Sequence, residues 1–108
     1  MSKPIDIQIL EIARAKVANP KTWTRGCAAR DRRGEEVAAE SAEAVRWCAL
    51  GAVGRAMFEL GAPVSAAQSA FRRLDGNASL LSISAINDLS GRKAALALFD
   101  RALEEALT

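Results

Sequence analysis

Apolar positions return at helical spacing along most of this chain. Ile5, Ile9, Ile12, Ala13 and Val17 fall on one side of a helix, and Leu10 widens the stripe. The pattern predicts a helix over residues 5–18, with Asp6 near its start and Lys16 near its end, as the helix dipole prefers. Asn19-Pro20 stops it, because proline cannot continue the hydrogen-bond ladder. Ile5, Ile7 and Ile9 also alternate, so a short initial strand is the competing reading.

Periodicity then disappears between Thr22 and Val37. Asp31-Arg32-Arg33-Gly34 suits a type I turn whose glycine takes the left-handed conformation, which predicts a short hairpin or an irregular loop. Ser41 is a good N-cap, with Glu43 in the first turn, for a second helix running to about Leu60. Val45, Cys48, Ala49, Ala52, Val53, Ala56, Met57 and Leu60 give that helix one broad face, and Trp47, Gly51, Gly54 and Phe58 a second. A helix apolar nearly all round is expected at the centre of the fold. Gly61-Ala62-Pro63 ends it and starts a third helix, with Val64, Ala67, Phe71 and Leu74 inward and Asp75-Gly76-Asn77 as its terminator. Ser79–Ile86 reads as one or two helical turns, and Asn87–Gly91 as a turn. A final helix buries Leu96, Phe99, Leu103 and Ala106. The expected architecture is a mainly α single domain over residues 1–108: a small bundle of about four helices, with a short hairpin or irregular loop after the first.

Two glycines inside an apolar helix change this picture. Glycine in a helix interior costs roughly 1 kcal/mol against alanine. Gly51 and Gly54 therefore predict a neighbour that approaches the backbone closely.

Composition narrows the chemistry. The 108 residues contain no histidine. That removes the usual base near neutral pH, the Ser-His and Cys-His nucleophile pairs, and the commonest metal ligand. Cys27 and Cys48 have no CxxC spacing, and two thiols without histidine do not build a four-ligand zinc site. No cofactor and no metal site are expected. The N-terminus shows no secretory pattern, and no apolar run approaches the ~20 residues of a membrane span. Free thiols in a cytoplasmic protein are the expectation, with no membrane partner. The net charge of +2 is too small to argue for nucleic acid. Arg32, Arg33, Arg72, Arg73, Arg92 and Lys93 lie in separate segments, so a phosphate-binding surface is the minor reading.

Certain motifs stand in a recognisable order: Ala29-Arg30-Asp31 with Gly34, Trp47-Cys48-Ala49-Leu50-Gly51-Ala52, and Asn87-Asp88, with Trp23 upstream. In this order the chain resembles a bacterial and phage family catalogued as a domain of unknown function, over nearly its whole length. The family often has an aromatic before the Asn-Asp pair, where this chain has Ile86. The resemblance implies a fold and no activity.

The candidate ligand-binding residues are Trp23, Arg30, Asp31, Trp47, Asn87 and Asp88. In the functional reading Arg30 clamps an anion against Trp23, and Asn87-Asp88 faces the same cleft. In the structural reading Arg30 pairs with a carboxylate, Asp31 closes the turn, Trp47 packs closely, and Asp88 or Ser90 caps the last helix. No base or nucleophile stands out, and Cys48 reads as a core thiol. The expectation is a non-catalytic binding or protein-interaction module that can form a homodimer. A phage-derived or nucleic-acid-associated accessory protein and an enzyme with a polar Arg/Asp/Asn site are the alternatives.

Overall fold

The computed structural model describes residues 3–75 and 80–107. Helix α1 covers Ile5–Ala18, with the boundaries its periodicity predicts. The Pro4 carbonyl accepts from the N–H groups of Ile7 and Gln8, which opens the first turn. At the other end Thr22 Oγ1 donates to the Lys16 carbonyl and Arg92 Nη1 to the Ala18 carbonyl, so side chains serve groups the helix cannot. Ile9, Leu10, Ala13 and Val17 are completely buried. Helices α2 (Ala49–Leu60), α3 (Val64–Asp75) and α5 (Arg92–Ala106) all pack on α1. The central place expected for the second helix thus belongs to α1.

Of the two readings after the first helix, the hairpin is the one present. Strands β1 (Ala29–Arg30) and β2 (Glu36–Val37) pair antiparallel. Asp31 Oδ1 accepts from the N–H groups of Arg33 and Glu35, and Gly34 takes φ 84°, the left-handed region a bulge glycine needs.

The second helix departs from expectation at its start. Ser41 caps only a local turn, through the Glu43 N–H. Arg46–Trp47 is a strand, β3, on the other edge of β1, with Ala29 opposite Trp47 and the sheet ordered β2-β1-β3. The far edge of β3 is covered as well: Thr24 N–H donates to the Trp47 carbonyl, and Trp47 N–H to the Thr22 carbonyl. This pairing outweighs the helix-favouring composition of residues 41–48. Helix α2 begins only after Cys48, whose thiol accepts from the Gly51 N–H as the N-cap.

Gly51 meets the close neighbour its position predicts. A Cβ there would stand 1.9 Å from the Ala28 carbonyl oxygen. Gly54 does not, since its Cβ would meet only the Ala39 Cβ at 3.8 Å. Two side chains expected inside point outward, Phe58 and Val64. The last helix buries Ala95, Leu98, Phe99 and Ala102 most deeply, with Leu96, Leu103 and Ala106 half-buried beside them. Between α3 and α5 lie a short helix α4 (Leu80–Ala85) and a π-helical turn over Ile86–Ser90, where a simple turn was expected. Neither Asp88 nor Ser90 caps α5; Gly91 holds the N-cap position without a side-chain bond. The expected α3 terminator at Gly76-Asn77 lies outside the described residues.

Candidate functional site

The π-helical turn brings Asn87 to the place where three separate segments meet. Its side chain is completely buried. Asn87 Oδ1 accepts from Trp23 Nε1 at 2.8 Å and from the Ala49 N–H at 3.0 Å. Asn87 Nδ2 donates to the Thr24 carbonyl at 3.2 Å and to Asp88 Oδ1 at 2.9 Å. Two donors and two acceptor sites are all that a primary amide offers, and all are used. The Ala49 bond satisfies an N–H in the first turn of α2, which no helical carbonyl reaches.

Asp88 extends the same knot. Its Oδ1 also accepts from the Gly26 N–H at 3.0 Å, and its carbonyl accepts from Arg25 Nη1. The Arg25 guanidinium lies 5.1 Å from the centre of the Trp23 ring. Trp23 is thus covered by Arg25 rather than by Arg30. Among the described residues Arg30 pairs with no carboxylate. Its Nε donates to Thr24 Oγ1, its Nη1 to the Gly34 carbonyl and its Nη2 to the Arg25 carbonyl. It ties the hairpin turn to the 24–26 segment.

Trp23, Asn87 and Asp88 therefore converge, and Arg30 reaches them through Thr24 and Arg25. Asp31 lies elsewhere, and Trp47 joins the group only through its backbone, which pairs beside Trp23. Asp31 lines a shallow depression of about 310 Å³ with Arg32, Arg33 and Glu43. Trp47 is buried, donates from Nε1 to the Ala39 carbonyl, and is flanked by Lys16 and Arg55, 4.8 and 5.2 Å from its ring.

Next to the knot is a cleft of about 150 Å³, lined by Gly26, Cys27, Ala28, Cys48, Leu50, Ser84 and Asp88. Of the six sequence candidates only Asp88 reaches it. The two cysteines are both free thiols. Burial pushes the Cys27 thiol up, against the opposing pull of Arg30. Burial raises Cys48 likewise, although the N–H groups of Gly51 and Leu50 favour its thiolate. A thiol raised in this way is a weak nucleophile near neutral pH. Among the described residues no group of three acidic or thiol side chains is placed to hold a metal ion.

The basic residues divide. Arg73 Nε donates to Asp6 Oδ2 at 2.6 Å, and Arg92 serves the end of α1. Two of the six cations considered for phosphate binding are thus committed to partners within the chain.

Sequence reasoning did not find the outward face of α2. Two open grooves adjoin there along Gly54 and Met57, with Phe58 and Gly61 on the side of the second. One groove, of about 570 Å³, lies against α3 and is lined by Val64, Ala67, Phe71 and Arg72. The other, of about 420 Å³, reaches Glu40 and Ala62. The available signal was a second apolar stripe on a helix that already had one.

The fold and this polar knot define a small, mainly α protein in which one buried amide ties the π-helical turn to the 23–24 segment and to the first turn of α2. No helix is long and apolar enough to cross a membrane among the described residues. The chain belongs to the family of unknown function DUF6197, whose model matches residues 1–105. Neither a search of curated proteins nor a search of solved structures gives a match.

Proposed function

We propose that this protein is a protein-interaction module without a reaction of its own, and that its contact surface is the α2–α3 face. The observation that carries this reading is exposed apolar surface set beside grooves: Phe58 is 58% and Val64 63% exposed, and each lines one of two adjoining grooves that share Gly54 and Met57. Contiguous exposed apolar surface rimmed by charge marks interaction sites. The polar candidates support the same reading from the other side. Asn87 spends its whole amide on internal partners, Arg30 donates from each of its three nitrogens, and both thiols are held protonated. Trp23, Arg30, Asp31, Trp47, Asn87 and Asp88 then form the internal frame that holds the module, and the cleft at Asp88 is a gap within that frame.

A photo-crosslinking residue at Met57, introduced in the cells that make the protein, tests the reading. It is expected to give a discrete protein adduct that disappears when Phe58 is changed to glutamate. The same probe at exposed Glu36 is expected to give none. No adduct from Met57, or equal adducts from both positions, refutes the reading.

A further inference from the structure

We infer that the occupant of the α2–α3 face is a second copy of this chain, bound about a two-fold axis that runs along α2; this rests on the interaction-module reading above. The face carries both halves of a contact. Phe58 is exposed on α2, with the Arg55 guanidinium 5.8 Å from the centre of its ring. The groove beside it has Gly54 in its wall, where an added Cβ would meet nothing closer than 3.8 Å. Phe58 stands on the Glu40 side and the Arg72 groove adjoins it across Gly54 and Met57, which allows reciprocal insertion, Phe58 of each copy entering the Arg72 groove of the other. That self-complementarity is what an isologous contact requires.

Charge fixes the orientation. Arg72 lines the groove on the α3 flank and Glu40 the groove on the opposite flank. Among the described residues neither has an ion-pair partner, whereas Arg55 and Lys16 both pair with Glu59 nearby. A two-fold axis parallel to α2 exchanges the flanks, so each Arg72 meets Glu40 of the other copy. An axis across α2 would place Arg72 over Arg72 and Glu40 over Glu40, which like-charge repulsion opposes. The face therefore selects its own copy in one orientation. An unrelated amphipathic partner would have no need of both charges.

Sedimentation of the full chain from micromolar to near-millimolar concentration tests this. The expected mass is twice 11.5 kDa. Phe58→Glu is expected to sediment as a single chain with unchanged helical circular dichroism, because Phe58 is exposed. Glu40→Arg alone and Arg72→Glu alone are each expected to weaken association about tenfold, the pair occurring twice per dimer. Together they restore it. A parent that stays monomeric throughout overturns the inference, as does a double variant as weak as the single ones. The two readings fail differently. A monomeric chain whose Met57 probe joins a different protein loses the second copy but keeps the module. A monomeric chain with no adduct loses both.

Discussion

Replacing Gly51 by alanine adds one carbon where the Ala28 backbone lies against the helix. The new Cβ would stand 1.9 Å from the Ala28 oxygen, 2.7 Å from its carbonyl carbon and 3.1 Å from its Cα. A carbon–oxygen contact shorter than about 3.3 Å is uncommon, so the strand must retreat by roughly 1.4 Å. That movement breaks the bond by which the Cys48 N–H donates to the Ala28 carbonyl, 3.1 Å in the parent. It also strains the pairing of Ala29 with Trp47 one residue on. Overpacking of this kind costs about 1–3 kcal/mol, and a buried donor left unpaired about 1–3 kcal/mol more. Alanine returns about 1 kcal/mol through helix propensity. The net expectation is a loss of about 3 kcal/mol, or a melting temperature lower by about 12–20 °C. Urea and thermal unfolding followed by circular dichroism measure it. Gly54→Ala is the internal control, since it gains the same propensity without a clash and should match or exceed the parent. A Gly51→Ala protein within about 0.5 kcal/mol of the parent would refute the close approach.

Other expectations follow from the polar contacts. Asn87→Asp keeps the shape and the Oδ1 acceptor but loses both donors and sets a second carboxyl against Asp88. It should destabilise by about 2–4 kcal/mol, more as pH rises through the ordinary carboxylate range, with a red shift in tryptophan emission as Trp23 loosens. Parent-like stability would show that the amide donors do not matter. At Asp6, burial pushes the carboxyl up, but hydrogen bonds from Arg73 and Ser69 and the Arg73 charge outweigh it and leave it below its ordinary value of 3.8. A carboxyl depressed by folding stabilises above its unfolded pKa, and that stability is lost as pH falls through the folded one. The parent should therefore lose stability below pH 3.8 more steeply than Asp6→Asn, in urea midpoints measured against pH. Equal slopes would place the ion pair in solvent.

What the sequence revealed divides along the range of the interactions. Helix α1 was legible to the residue, because its stripe, its acidic start and its Asn-Pro stop are all local. The Asp31–Gly34 turn was legible for the same reason. Gly51 was legible as a place of close approach, though not as a contact with Ala28, because nothing local says which backbone arrives. Strand β3 was hidden. Residues 41–48 carry a helix cap and helix formers, and a two-residue strand has no periodicity. Only pairing with Ala29 and Arg30 fixes it. The Asn87 knot was visible as a set of unusual residues but not as a set of bonds, since its partners lie as far off in sequence as Trp23. Phe58 and Val64 were misread for a different reason. Helical spacing identifies an apolar face but not whether the same chain supplies its cover.

The account depends on Asn87 as the tie between the π-helical turn, the 23–24 segment and α2, and the Ala49 amide reports on it most directly. That N–H belongs to the first turn of α2, where no helical carbonyl can protect it, and its partner is Asn87 Oδ1. Hydrogen exchange followed residue by residue should find the Ala49 amide as slow as the interior of α2, and fast in Asn87→Ala. An Ala49 amide that exchanges freely in the parent would contradict the account.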